Sequence, residues 1–274
     1  MLLFFLQLIV SFIIGGCAIA FLLLVAERAS TDKAGIIISL PSIIVISYFF
    51  MGWTLSPSKI SSISGVVPAA LGISLLFVCA YVYLSKVRLP RKQSMMLCIS
   101  ISFLCWFALA IPFALIKFSR MKYSLIIYCV CFGISYYLLT IRPGPISENE
   151  TVIYTFRQKI GRAIFCGFMI SVAVFCARVF GPFWGGIFSV FPSAYSAGLI
   201  ILHSRYASSF LFKMSKNIPI GSLTVLFYAI VAKYMFPVFG ILIGTLLSFV
   251  VSICPLLIME TVKTMIQRFS PVKP

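Results

Sequence analysis

Two short stretches of the sequence place a proline beside serine hydroxyls within otherwise apolar segments. Residues 35–42 read GIIISLPS and residues 186–193 read GIFSVFPS. A proline inside a helix removes one backbone hydrogen bond and leaves a carbonyl without its donor. In lipid, such a group is tolerated only where protein or a water-lined cavity can bind it. Two breaks flanked by hydroxyls therefore predict a substrate site within the membrane.

The predicted substrate-binding residues are the glycines, prolines and serines of these stretches: Gly35, Ser39, Pro41, Ser42, Gly186, Ser189, Pro192 and Ser193. The alternative interpretation is a pair of kinked packing helices. In that case the serines bond their own backbone and the glycines allow close helix contact. The pattern alone does not decide between the two.

Residue types that carry enzyme chemistry are scarce. The chain has five acids and one histidine, all in loops or at the ends of predicted spans. Membrane hydrolases and transferases need such groups facing a cavity, and no recognised nucleophile or metal-ligand spacing occurs. The nine cysteines form no CxxC pair. We therefore expect no enzyme, no catalytic residue, no metal and no cofactor, with His203 as an interfacial side chain.

Three charged residues near predicted span ends are candidates for gating or for attracting a substrate: Glu27, Arg178 and Lys233. Glu27 can instead pair with the adjacent Arg28, and Lys233 can reach toward the headgroups. Glu27 and Arg178 are predicted to lie on opposite sides of the membrane, which excludes a gate between them. The expected substrate is apolar or lipid-like, or an anion drawn to the N-termini of the broken helices and to Lys233.

The elements that position these residues are predicted to be transmembrane helices. Hydrophobic residues make up 62% of the chain and charged residues 10%, and the mean hydropathy is +1.14, outside the range of soluble domains. An uncharged run of roughly 18 residues or more can cross the bilayer core as a helix. Nine spans are predicted: residues 2–26, 34–56, 64–85, 94–116, 123–141, 161–180, 182–203, 217–234 and 236–259.

The basic residues fall mainly on one side of these spans. Of 22 lysines and arginines, 16 lie in connections 1/2, 3/4, 5/6 and 7/8 and in the tail. Positively charged loops face the cytoplasm, so we expect a multi-pass protein of the inner (cytoplasmic) membrane with its N-terminus outside and its C-terminus cytoplasmic. The formal net charge of +17 is then a topology signal that also attracts anionic lipid, and no nucleic-acid partner is expected.

An internal repeat relates the two proline stretches, which lie 151 residues apart. At that offset, residues 13–75 align with residues 164–226 without a gap. Glycine and proline identities weigh most, because both residues dictate backbone conformation. These pairs are Gly16 with Gly167, Gly35 with Gly186, Pro41 with Pro192 and Pro68 with Pro219.

The repeat predicts two four-helix units. Residues 1–117 form the first, 118–160 a linking helix and cytoplasmic loop, 161–259 the second unit and 260–274 a basic cytoplasmic tail. Because an odd number of helices separates the two units, the second unit would enter the membrane in the opposite orientation. We therefore predict an all-α polytopic fold of about nine helices, built as an inverted-topology repeat like those of many secondary transporters.

The stretch at 186–193, following the segment from Arg162 to Arg178, resembles the signature region of the GlpM-like family of small bacterial inner-membrane proteins. A glycine followed six residues later by a proline and a small hydroxyl residue carries the resemblance. It extends over about 95 residues of the second unit and a similar length of the first. The resemblance implies a four-helix unit and no particular activity. The chain departs from the family in fusing two units with an added helix and tail.

These patterns favour a small transporter or lipid translocator that works by alternating access between the two units. The competing interpretation is a non-transporting membrane subunit or scaffold, which docks a partner through its basic cytoplasmic face. Membrane lipids and a small or lipid-like substrate are the expected partners, and a homo-oligomer is an open alternative.

Cysteine labelling at two matched turns tests the inverted repeat. With the native cysteines replaced, single cysteines at Ser30 and Gly181 should label from opposite sides, Ser30 from inside and Gly181 from outside. The odd number of intervening spans is the reason for this expectation. Labelling of both positions from one side would mean a parallel duplication or a miscounted span.

Overall fold

The computed structural model describes residues 2–28, 40–142 and 155–269, and these are almost entirely helical, with no strand among them. The helix Met121–Tyr136 continues into one π-helical turn, Tyr137–Ile141. The helices are α1 (Leu2–Arg28), α2 (Ser42–Thr54), α3 (Lys59–Leu84), α4 (Arg91–Leu115), α5 (Met121–Tyr136), α6 (Phe156–Val179), α7 (Pro182–Ser189), α8 (Ser193–Arg205), α9 (Ser208–Ser215) and α10 (Ile218–Phe269).

The helices are compatible with an integral, multi-pass membrane protein. Among the described residues, seven stretches are long and apolar enough to cross a bilayer, and the shorter α2 is apolar as well. Large apolar side chains are exposed on the outer faces of α1, α4, α5 and α10, as at Leu104 and Leu242. Lipid tails solvate such surfaces, whereas water does not. The all-helical class is confirmed, and the count of nine spans stays a prediction.

The later predicted spans differ from the structure in where the helices are interrupted. The predicted spans 217–234 and 236–259 correspond to two helical segments of α10 that meet at a kink at Gly240 (φ 73°, ψ −167°), a few residues after the predicted boundary. Glycine reaches this conformation because it has no Cβ to clash. Predicted span 182–203 is divided into α7 and α8.

Helix α3 forms the centre of the bundle. It packs against α4, α5, α7 and α10. Of the 18 residues in its most hydrophobic stretch, 89% are buried, compared with 22% in the corresponding stretches of α1 and α4. Gly72 allows α5 to approach closely, since a Cβ there would lie 2.9 Å from the Cβ of Cys131. Small residues at such crossings are typical of helix packing in membranes, where van der Waals contact replaces the hydrophobic effect.

Helices α1 and α6 cross in antiparallel orientation. Phe4, near the start of α1, stacks on Phe175, near the end of α6, with ring centroids 6.3 Å apart. Further along α1, a Cβ at Gly16 would lie 3.3 Å from the carbonyl oxygen of Ala163, near the start of α6. Early residues of α1 therefore contact late residues of α6, and later residues of α1 contact early residues of α6. The two helices run in opposite directions.

The crossing depends on glycine at position 167. A Cβ there would lie 2.6 Å from the carbonyl oxygen of Phe12 and 2.9 Å from the backbone nitrogen of Gly16. Gly167→Ala should lower the free energy of unfolding by about 1–3 kcal/mol, because the clash is with backbone and the helices must separate. Denaturation with SDS, followed by circular dichroism, measures this change.

Gly161→Ala is the matched control on the same helix. A Cβ at position 161 meets no atom within 4 Å, so alanine should be neutral or stabilising by up to about 1 kcal/mol. Equal unfolding curves for the two variants would contradict the proposed role of Gly167.

Candidate functional site

A cavity of about 310 Å³ lies beside the starts of α2 and α8, and it is also bordered by α1, α3, α6 and the beginning of α10. Four of the predicted site residues line it: Pro41, Ser42, Ser189 and Pro192. The two proline stretches, far apart in sequence, therefore meet at one cavity. Its volume is at the lower end of the range of small-molecule sites.

The two prolines have nearly the same backbone geometry. Pro41 has φ −78° and ψ 43°, and Pro192 has φ −74° and ψ 43°. Each directly precedes a helix of 13 residues. The expectation of a proline within a helix interior is therefore wrong for Pro192, which begins α8 after the break that follows α7. The first backbone N–H groups of a helix have no intrahelical acceptor, so proline, which lacks this N–H, is tolerated there.

Neither helix start is capped by a side chain within the described part of the chain. The next backbone bonds after each proline are Val45 N–H to the Pro41 carbonyl and Ser196 N–H to the Pro192 carbonyl, at 3.0 and 2.8 Å. The N–H groups between these bonds have no intrahelical acceptor. They belong to residues that line the cavity: Ile43, Ile44, Ala194 and Tyr195.

Arg162 is the only charged residue among the described residues that line this cavity. It lies in the second turn of α6, whose start is fixed by a capping box in which Thr155 N–H donates to Gln158 Oε1 at 2.9 Å. Its Nε is buried and has no hydrogen-bond partner among the described residues. Its guanidinium lies beside α8, with Nη1 3.9 Å from the position that a Cβ on Gly198 would occupy.

The sequence analysis counted Arg162 with the cytoplasmic loop and did not predict it as a site residue. One signal was available in the repeat, which aligns Arg162 with Ser11, a position well inside the first predicted span. That alignment places the arginine at membrane depth, where an ionisable residue suggests a function.

The other predicted site residues lie outside this lining or outside the described residues. Gly186 packs on α3, because a Cβ there would lie 2.6 Å from the carbonyl oxygen of Ile63. Ser193 is fully buried and its Oγ has no hydrogen-bond partner among the described residues. Ser189 lines the cavity, but its hydroxyl donates to its own backbone at the Gly186 carbonyl, 2.7 Å away. Gly35 and Ser39 lie outside the described residues.

The charged candidates are not part of the cavity lining. Arg178 is exposed in the last turn of α6. Lys233 is half-buried on α10, with its Nζ 5.9 Å from the ring centroid of Tyr234. Position 27 lies on α1, but the side chain of Glu27 is outside the described residues.

His203, predicted as an interfacial side chain, is buried against neighbouring helices near the end of α8, and its depth in the membrane stays a prediction. Only 6% of its surface is exposed. Its Nδ1 lies 3.2 Å from the Tyr81 hydroxyl and its Nε2 lies 3.4 Å from the Ser94 hydroxyl. Both ring nitrogens are thereby occupied in joining α8 to α3 and α4. Among the described residues, no group of three metal-ligating side chains was found.

The break between α7 and α8 is held by a polar contact to α3. The hydroxyl of Ser74 lies 2.7 Å from the carbonyl oxygen of Val190, at the end of α7. The same Ser74 oxygen accepts a hydrogen bond from Trp106 Nε1 on α4, at 3.0 Å. The Trp106 ring packs edge-on against Phe191, with centroids 4.9 Å apart. Side chains of α3 and α4 therefore provide a hydrogen-bond partner for the carbonyl that the break exposes and hold it in place.

Comparisons with known proteins found no match: no protein-family model, no curated protein and no solved structure is similar to the chain at a significant level.

Removing the Ser74 hydroxyl should destabilise the protein. Ser74→Ala leaves the Trp106 N–H and the Val190 carbonyl unpaired in the interior, which should lower the free energy of unfolding by about 2 kcal/mol. SDS denaturation at constant detergent composition measures the change. Ser85→Ala is the control, because that buried hydroxyl donates only to Val82 in its own turn at 2.7 Å, and it should cost less than about 1 kcal/mol. Similar losses in both variants would refute an anchoring role for Ser74.

Proposed function

We propose that the chain is a small transporter or lipid translocator of the bacterial inner membrane, with two inverted repeat units that exchange conformations around the cavity. The observation that carries the proposal is the position of the cavity. It touches both proline stretches, as a shared site between two related halves requires.

Helix boundaries support the repeat. Helices α2 and α8 begin at Ser42 and Ser193 and both contain 13 residues, and these start positions are the ones that the sequence alignment pairs. Helices α1 and α6 are antiparallel, as two equivalent helices must be if the second unit is inverted.

The cavity lies toward one side of the bundle, which supports alternating access. Residues at its edge are accessible: Met214 is 43% exposed, and Asn217 is exposed. The residues that the repeat aligns with them, Ile63 and Val66, are both 0% exposed within α3. In this interpretation the site is accessible from one side, and the equivalent path on the other side is closed by packing.

Matched prolines adopt different local structures in the two units. Pro68 lies within the continuous helix α3. The aligned Pro219 lies in the first turn of α10, just after the break that separates α9 from α10. The two aligned prolines thus lie in the interior of one continuous helix and in the first turn of another. Two such arrangements are what an exchange of conformation between repeats would interconvert.

The positive charge of connections 3/4, 5/6 and 7/8 predicts that the accessible side is cytoplasmic. Arg162 and Asn217 both lie next to those connections and both line the cavity. The proposed resting state is therefore open to the cytoplasm. The scaffold interpretation is less well supported, because it predicts a solid interior at the proline stretches.

Accessibility of two matched positions tests the exchange. In a variant without native cysteines, Ile218→Cys should react with an impermeant maleimide from the cytoplasmic side, since Ile218 lines the cavity. Its repeat partner Val67 is 0% exposed. Val67→Cys should react from the outer side alone, at a slower rate set by the opening of the other half. Right-side-out and everted vesicles distinguish the two sides.

Val78→Cys is the matched control on the same helix. Val78 and its repeat partner Ala229 are both 0% exposed, so position 78 should stay unreactive in either conformation. Val67→Cys reacting no faster than Val78→Cys would rule out exchange. Adding Pro41→Ala or Pro192→Ala should slow labelling at position 67 without lowering the amount of protein in the membrane.

A further inference from the structure

The cavity combines one cationic group with apolar walls. Ile19, Leu22 and Leu23 of α1 line one wall, Leu71 of α3 another and Val225 of α10 a third. Arg162 projects from α6 at the edge of this apolar surface. A ligand that satisfies both parts needs an anionic end and an apolar body.

Among the described residues, the arginine has no counter-charge in the cavity. The lining there contains no carboxylate, and Arg162 Nε is both buried and without a hydrogen-bond acceptor among the same residues. A guanidinium cannot lose its proton in a protein, and a buried donor without an acceptor is unfavourable. A phosphate or carboxylate oxygen would supply the missing acceptor in the paired geometry that arginine prefers.

Two helix starts add further donors beside the arginine. The uncapped N–H groups of Ile43 and Ile44 lie at the start of α2, and those of Ala194 and Tyr195 at the start of α8. All four residues line the cavity. The positive ends of helix dipoles favour an anion at this position, so the arginine and both helix starts border one space.

We propose that the cavity binds an anionic amphiphile, with its phosphate or carboxylate head held by Arg162 and the starts of α2 and α8, and its apolar chain lying along α1. The proposal rests on the proposed function for its role as a transported or translocated substrate. Binding itself does not require transport. The volume of about 310 Å³ suits a head and one chain better than an entire two-chain lipid.

Lys233, one of the candidates that the sequence offered for attracting an anion, does not line this cavity. The proposal gives that role to Arg162. The difference matters for the ligand, because arginine binds planar oxyanions through two parallel hydrogen bonds, whereas lysine acts as a point charge.

The test is a binding titration of the purified full chain in a neutral detergent, read by native mass spectrometry. The probes are dodecyl phosphate, dodecanol with the same chain and no charge, and sodium phosphate with the same head and no chain. Dodecyl phosphate should bind with a clearly higher affinity than dodecanol or sodium phosphate. Arg162→Gln should weaken its binding by about tenfold or more, while Arg162→Lys should lie between Gln and wild type.

Arg157→Gln is the matched control. Arg157 is an exposed residue near the start of the same helix and does not line the cavity, so its removal changes net charge equally and should leave binding unchanged. Gly198→Leu provides a second variant that keeps the arginine. A Cβ at Gly198 is 3.9 Å from Arg162 Nη1, so a leucine there should obstruct the guanidinium and weaken binding, whereas Gly198→Ala should not.

Three results would overturn the proposal. These are equal binding of dodecanol, equal binding of dodecyl phosphate by wild type and Arg162→Gln, and competition by sodium phosphate as strong as by dodecyl phosphate. The last result would mean a site for a free small anion. Binding that depends on Arg162, in a protein whose Val67→Cys never reacts, would support the anionic-amphiphile site and refute transport. Reaction of Val67→Cys from the outer side, together with binding that does not depend on Arg162, would support transport and refute this ligand class.

Discussion

Every interruption of a helix in apolar surroundings exposes backbone groups that must find partners, and this constraint organises the bundle. At the end of α7 the carbonyl of Val190 is met by Ser74, which is itself held by Trp106. At the starts of α2 and α8 the residues whose N–H groups have no intrahelical acceptor line the cavity instead. The interruption at the end of α7 thus has its carbonyl paired with protein, whereas those at the two helix starts border open space.

The Ser74 contact has no counterpart at the position that the 151-residue offset in the sequence pairs with it. That position is Val225, which has no hydroxyl and contributes an apolar wall to the cavity. The break before α8 is therefore tied to the central helix, whereas Val225 offers α10 no equivalent hydrogen bond. Stretches with matching glycine and proline positions can differ in this way, because other side chains decide which backbone groups are satisfied.

The general class could be predicted from sequence, because apolar composition acts locally. The prolines indicated interruptions at the right places, but they were expected inside spans 34–56 and 182–203, whereas in the structure Pro41 and Pro192 directly precede α2 and α8. The role of Arg162 could not be predicted by counting basic residues per loop, since that count ignores the direction in which α6 packs. Gly240 was missed for a related reason, because a single φ of 73° leaves the apolar pattern on both sides intact. Pro68 and Pro219 show the limit most clearly, as tertiary packing decides which of them interrupts a helix.

The crossing of α1 and α6 also has a mechanical meaning. At Gly16 and Gly167 backbone lies against backbone. Toward the start of α1 the two helices are joined by side chains, since Ser171 donates to the Leu8 carbonyl at 3.0 Å and Phe4 stacks on Phe175. The start of α1 lies about 20 Å from the crossing at 1.5 Å per residue, so a tilt of about 10° there would move the helix end by roughly 3–4 Å by lever geometry. The contacts of Ser171 and Phe175 with α1 would oppose such a rotation, whereas the glycine crossing itself would not.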